Sequence, residues 1–160
     1  GHANLVDFRS IRFPGLISAL TMPSGGTSDY ASEMIHAAAN SEAYTCFVRP
    51  DTRIPFMAMP DAIDAILALT NREETGLSQH VYNVSAFNPS AAEIHELVAK
   101  AYPGAHVAFE PDTRRQAIVD SWPSAVDDRL ARSDWGYSPR YDLVTCFHDY
   151  LIPTVSEIYR

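Results

Sequence analysis

The chain has 160 residues, enough for one domain with its own core, and its 46% hydrophobic and 20% charged content is ordinary for a globular protein. Twelve basic against twenty acidic side chains give a formal net charge of −8. That balance argues against nucleic acid or an anionic membrane as partner, because both need a cationic face.

No apolar run approaches the roughly 18 residues of a membrane span, no signal peptide is visible, and the cytoplasm is the expected compartment. Gly1-His2 reads as the remnant of an expression tag, leaving a single domain over residues 3–160. Cys46 and Cys146 sit in the apolar contexts "YTCFV" and "VTCFH" and read as buried free thiols, since two cysteines make no disulfide framework.

In chain order, Val6, Phe8, Ile11 and Phe13 predict a mostly buried strand from Leu5, ended by Pro14-Gly15. "TMPSGGTSDY" predicts a loop, with Ser28 or Asp29 capping the next element. Tyr30 to Ala39 is then a helix with Met34, Ile35 and Ala38 on its apolar side. "YTCFVR" and "IPFMAM" predict strands, and Pro60 opens a helix with Ile63, Ile66 and Leu67 at helical spacing.

"HVYNVSAF" predicts another strand. "NPSAAEIHELVAKAY" is the best helix of the chain, capped by Asn88 or Ser90, with Ile94, Leu97, Val98 and Ala101 on one face. "AHVAFEP" predicts a strand and "SAVDDRLARSDWG" a short helix stopped at Gly136. The last stretch predicts a terminal helix that Pro153 kinks or ends. The resulting order, β-α-β-β-α-β-α-β-α-α, is α/β, with one strand at the N-terminal edge and no first βαβ unit.

Several chemistries are weakened by what the sequence lacks. Dinucleotide binding needs a glycine fingerprint directly after a strand, and "PSGGTSDY" has neither the spacing nor the strand. Short-chain dehydrogenases use a Tyr-x-x-x-Lys pair, whose ammonium lowers the phenol pKa for proton exchange with an alcohol. Lys100, the single lysine, has Glu96 four residues before it. "HELVA" begins like a zinc-protease helix, but Ala99 stands where a second histidine belongs, so His95 reads as a solvated or half-buried helix residue. No metal site and no Gly-x-Ser-x-Gly elbow is apparent. Asp127 and Asp128 read as helix-start carboxylates favoured by the helix dipole.

Two stretches are unusual for scaffold alone. "GGTSDY" gathers hydroxyls at a glycine turn before a helix, a good place for a small carboxylate. "DTRRQAIVDSWPSAVDD" is long, mixed in polarity and centred on Trp122-Pro123; it suits a side chain closing over a pocket, while a core aromatic is the other reading of Trp122.

Taken together, "RSIRFPGLIS", "PSGGTSDYASEM", "YTCFVRPDTRIPFMAMPDAIDAI", "YNVSAFNPSAAEI" and "FEPDTRRQAIVDSWPSAVDDRLARSDWGYSPRYDL" resemble the C-terminal half of short-chain, epimerase-like L-threonine 3-dehydrogenase. The resemblance runs from about Val6 to the last helix. It implies the α/β, C-terminal substrate-binding portion of an extended short-chain dehydrogenase fold. It also implies that the N-terminal Rossmann half, with its glycine fingerprint and Tyr-x-x-x-Lys helix, is missing from this chain.

By resemblance, Pro14, Gly15 and Leu16 contact the nicotinamide end of NAD, and Thr27, Ser28 and Trp122 belong to the threonine pocket. Ser24 and Ser28 depart from the family's usual glycine and threonine, the second keeping a hydroxyl. The expected function is that of a catalytically incomplete relative acting as a binding or interaction module, holding no NAD by itself. The alternatives are half of a working L-threonine dehydrogenase completed by another chain, and another epimerase-like enzyme on the same half-fold. An unpaired strand edge with apolar flanks further predicts a homodimer.

Overall fold

The computed structural model describes residues 6–160. The reading of Gly1-His2 as a tag remnant and the strand start at Leu5 lie outside the described residues. The elements are β1 (Ser10–Arg12), β2 (Gly15–Ile17), α1 (Tyr30–Ala39), β3 (Tyr44–Cys46), β4 (Phe56–Ala58), α2 (Met59–Thr70), β5 (Val81–Asn83) and α3 (Ala91–Ala101). They continue with β6 (Val107–Phe109), α4 (Thr113–Asp120), α5 (Arg129–Trp135), α6 (Leu143–Thr145) and α7 (Ile152–Ile158). The fold is mixed α/β. Its three ladders are all parallel, pairing β1 with β5, β2 with β4 and β3 with β6.

Each ladder spans only three residues per strand, too short to hold without packing on both sides. Two cores supply that packing. One gathers α1, α3, β3 and the C-terminal helix around Tyr30, Ile35, Phe47 and Phe147. The other sets α2 and α5 against β5 through Ala62, Leu69, Tyr82 and Trp135. Strand β4 serves both: Phe56 and Ala58 belong to the first core and Met57 to the second, as the two-residue period of a strand requires.

Helices α1 and α3 form as their sequences predict. Helix α1 runs Tyr30–Ala39 and buries Met34, Ile35 and Ala38. Helix α3 is capped by Ser90, whose hydroxyl accepts from Glu93 N–H while the Glu93 carboxylate accepts from Ser90 N–H, a reciprocal cap worth about 1 kcal/mol. Helix α5 stops at Gly136 in the left-handed conformation, φ 73°. Cys46 and Cys146 are buried free thiols, and burial pushes the Cys146 thiol up to about 12.

Several expectations are corrected. Val6 and Phe8 are 75% and 62% exposed, because β1 pairs with β5 only from Ser10 onward. The strand does not end at Pro14-Gly15 either: Phe13-Pro14 interrupts it and β2 resumes at Gly15. In α2 the stripe Ile63, Ile66 and Leu67 faces outward, and Asp61, Ala62, Ala65 and Leu69 are buried instead. The polar stretch Thr113–Asp120, given no element from sequence, is helix α4. Pro153 does not end the terminal helix: helical backbone runs without a break over residues 143–158, and Pro153 lies inside that run, directly after a π-helical turn, Cys146–Leu151, where the regular α-helical ladder is already interrupted.

Buried Asp61 ties the start of α2 to the segment that leads into α6. Its carboxylate accepts from Arg140 N–H at 3.0 Å and Tyr141 N–H at 3.1 Å, at the α2 N-terminus where a negative charge is favoured.

His36, buried in α1, has Nδ1 3.0 Å from the Tyr159 hydroxyl and, among the described residues, no partner for Nε2. Burial holds its pKa below the usual histidine value of about 6.5. The unfolded chain therefore binds this proton more readily than the folded one. Stability present above about pH 6.5 is then lost as the pH falls toward the folded value. Denaturant midpoints from pH 8 to pH 5 should fall for the parent and flatten for His36→Gln; an equally steep fall in the variant refutes the assignment.

Candidate functional site

The junction of β1 and β2 makes one wall of a cleft of about 340 Å³, at the lower end of small-molecule sites. Proline has no N–H for a ladder, so the chain breaks at Phe13-Pro14 and resumes where Gly15 N–H donates to Pro55 O at 3.0 Å. Phe13, Pro14 and Gly15 form this wall, and Ile54 and Pro55, which precede β4, lie against it. Trp122, Pro123 and Val126 close the far side, and Ser28 contributes the rim.

Gly15 is required by the fold itself. A Cβ there would stand 2.9 Å from Phe56 Cδ1 and 3.4 Å from Pro55 O, and Phe56 is buried, so its ring moves only by disturbing the core around it.

The loop carrying Ser28 is folded on Asp29. Its Oδ2 accepts from Ser24 N–H at 3.0 Å and Gly26 N–H at 2.8 Å, so the carboxylate organises the preceding turn rather than capping α1. Gly25 takes the left-handed conformation, φ 88°, which favours glycine.

Trp122 is carried just beyond α4. Asp112 caps that helix by accepting from Arg114 and Arg115 N–H. On its inner side, buried Gln116 accepts from Arg49 N–H at 2.7 Å and bonds Thr52, and Asp120 receives both ends of the Arg49 guanidinium at 2.9 and 3.0 Å. These bonds fix a helix with no apolar stripe. Trp122 is 39% exposed and stands between the main cleft and a second recess lined by Arg49, Thr52 and Ser124. The core aromatic of this region is Trp135.

Of the side chains lining the main cleft, only Ser28 and Trp122 carry a polar atom. The cleft can hold a flat, weakly polar ring beside a small polar group, and its walls supply no group for proton abstraction at neutral pH. Pro14, Gly15, Ser28 and Trp122 meet there. Leu16 lies on a separate recess of about 130 Å³ with Ser18, Thr21 and Asp29, and Thr27 is half-buried and lines neither. Sequence reasoning did not single out Ile54-Pro55, read only as strand, or Arg12, which opens onto the cleft's extension beside Phe13, Asn83 and Pro123. His95 packs edge-on to Phe109 at 5.8 Å, and Asp127 and Asp128 pair with Arg129 and Arg132.

No protein-family model matches the chain. It is 44% identical over 139 residues to an uncharacterized epimerase/dehydratase of Staphylococcus haemolyticus, covering 86% of this chain and 44% of that protein. It is 41% identical over 138 residues to the mitochondrial L-threonine 3-dehydrogenase of Bos taurus, covering 86% of this chain and 37% of that protein. A monomeric L-threonine 3-dehydrogenase of metagenomic origin superimposes with a TM-score of 0.91 at 39% identity, over 97% of this chain and 50% of that one. The chain matches the C-terminal half of these epimerase/dehydratase-like dehydrogenases. It spans about half the length, or less, of the relatives it matches. A UDP-glucuronic acid 4-epimerase from Bacillus cereus, 15% identical with a TM-score of 0.74, shares the fold.

Replacing Gly15 with alanine should destabilise the chain by about 1–3 kcal/mol through overpacking against Phe56. Urea midpoints measure it, and an unchanged midpoint would show that the Phe56 ring yields.

Proposed function

We propose that this chain forms the substrate-side wall of an L-threonine 3-dehydrogenase-type site and that, taken alone, it binds without turnover. The observation that carries the reading is the convergence of Pro14, Gly15, Ser28 and Trp122 on one cleft, joined to the match with dehydrogenases of that name. In the complete reaction L-threonine becomes 2-amino-3-ketobutyrate: the β-carbon gives up a hydride and the β-hydroxyl a proton. NAD, when bound, accepts that hydride.

The apolar wall of Phe13, Pro14 and Gly15 fits a flat pyridine ring, and Leu16 continues the same strand. Ser28, Thr27 and Trp122 are assigned to the amino acid, with the serine hydroxyl as the polar contact at the rim. The proton acceptor is not among the cleft's side chains, and this chain has no Tyr-x-x-x-Lys pair. The wall alone also lacks a glycine loop to hold the pyrophosphate, so NAD has no stable hold on it. A complete enzyme would draw both features from the half of the fold that the relatives possess and this match does not cover.

Titrating the chain with L-threonine should change the fluorescence of Trp122 saturably, with no reduced cofactor formed when NAD is added. Trp122→Phe should lose the signal while Trp135 emission persists. A calorimetric titration with no heat and no spectral change would overturn the threonine assignment, and threonine-dependent reduction of NAD by the chain alone would overturn its catalytic incompleteness.

The homodimer expected through the N-terminal strand and its apolar flanks is proposed on the exposed face of α2 together with Val6 and Phe8. Helix α2 is apolar nearly all round, a pattern that belongs to helices covered on every side, yet Ile63, Ile66 and Leu67 are about half exposed. Val6 and Phe8 are exposed at its C-terminal end, where Arg9 donates to the carbonyls of Leu69, Thr70 and Arg72. A second copy of the chain covers this face. Sedimentation at micromolar concentration should give a dimer that Ile66→Glu turns into monomer. A monomeric parent would overturn the dimer and leave the face to a chain supplying the other half of the fold.

A further inference from the structure

Among the described residues, the hydroxyl loop and the tryptophan arm of the cleft are joined by hydrogen bonds from one side chain. Arg115 leaves the first turn of α4 half-buried, and its guanidinium carbon lies 3.1 Å from the centroid of the Phe47 ring. Phe47 is buried in the first core. From that seat Nη2 donates to Gly25 O at 3.1 Å and to Gly26 O at 2.9 Å. Gly26 O also accepts from Asp29 N–H at 3.0 Å, so the carbonyl that closes the turn is the one the guanidinium holds. The turn is two residues from Ser28 on one side, and α4 ends two residues before Trp122 on the other.

The rest of α4 is pinned elsewhere. Gln116 and Asp120 attach it to Arg49 and Thr52, a segment that does not touch the loop through these bonds. The placement of Ser28 relative to Trp122 is thus set through a guanidinium flat enough to stack on a ring while its edge reaches two carbonyls. Lysine has the charge but neither the plane nor the fork.

We propose that Arg115 is a positioning residue: a clasp, seated on Phe47, that holds the Gly25-Gly26 turn against α4 and so sets the width of the cleft between Ser28 and Trp122. It touches no ligand itself. Its consequence for affinity rests on the reading of this cleft as the amino-acid wall, whereas its hold on the loop does not. The ligand class, a small amino acid with a hydroxyl, comes from that reading; a ligand held between a serine and an indole is sensitive to a rim that shifts by a fraction of an ångström.

The test uses the chain labelled with 5-fluorotryptophan, which gives separate signals for exposed Trp122 and buried Trp135. In Arg115→Lys and Arg115→Met, amide exchange at Gly26 and Asp29 should quicken about tenfold, as for a segment that has lost a charge-assisted clasp. The Trp122 signal should move while that of Trp135 and the exchange of the α3 amides stay as in the parent. L-Threonine should bind about tenfold more weakly.

A merely structural loss would move both tryptophans together, and that outcome overturns the proposal. Unchanged loop exchange and an unmoved Trp122 signal in Arg115→Lys overturn it as well. If the methionine variant does not fold, the lysine variant decides, since it keeps the positive charge and an aliphatic stem of similar length. If the parent binds no threonine, the substrate reading fails, and the clasp is judged on exchange and fluorine signals alone.

Discussion

Everything on the cleft traces back to the burial of Tyr30 between two phenylalanines. Its ring meets Phe47 edge-on at 6.1 Å and Phe56 edge-on at 5.9 Å, and none of the three exposes more than a few per cent of its surface. Phe56 sits in the strand against which β2 is laid and crowds any side chain at Gly15. Phe47 is the seat of the Arg115 guanidinium. Tyr30 is the first residue of α1, directly after the hydroxyl loop. The packing is favourable enough to leave the Tyr30 hydroxyl without a partner among the described residues, a cost of about 1–3 kcal/mol for a buried donor. Burial also raises that hydroxyl's pKa, so the ring serves as an apolar wedge.

What the sequence made legible was whatever depends on neighbours along the chain. Helix α3 carries its own cap and an unbroken apolar period, and α1 begins after a glycine turn with a compact apolar side. Both could be bounded from residues alone. Helix α2 was legible as a helix but not in its orientation. Ile63, Ile66 and Leu67 satisfy the same period as Ala62, Ala65 and Leu69, and spacing cannot say which stripe a closely packed strand will accept. The structure chose the small one, since Met57, Tyr82 and Trp135 fill the second core and leave room for methyl groups. Helix α4 was invisible for the opposite reason. Its order comes from Asp112, Gln116 and Asp120, the last two bonding residues on other segments, and no periodicity records that.

The candidate site shows the same division. Pro14-Gly15 and Trp122-Pro123 announce themselves because proline and glycine restrict the backbone locally, and both lie on the cleft. Thr27 and Ser28 came together, from the clustering of hydroxyls in one turn and from the resemblance, and only Ser28 of the two lines the cleft. Leu16 entered by resemblance beside Gly15, and in a turn or a strand adjacent side chains face different ways. Leu16 therefore looks into a neighbouring recess while Gly15 looks into the main one. Arg115 was read only as part of a polar run; its partners are two carbonyls about ninety residues away, and backbone oxygens leave no mark on a sequence.

The cleft lies on the seam between the two cores, and this location limits what it can do. Phe13 packs on the α2–α5 core, whereas Ile54 belongs to the α1–α3 core, and only β4 is shared by both. A ligand bridging Phe13 and Trp122 must therefore tie together bodies joined otherwise by a three-residue strand, the Phe13-Pro14 link and Asp61. Such a seam suits binding, because small adjustments of either side cost little while each core stays packed. It does not suit proton transfer, which needs a titratable group held at fixed distance from the reacting atom. The seam's own side chains are proline, isoleucine, valine and phenylalanine, and the two polar ones sit at its rims. On the proposed reading, a wall of this kind would shape and dry the ligand's surroundings, and a proton acceptor would have to be held by an element rigid with respect to it.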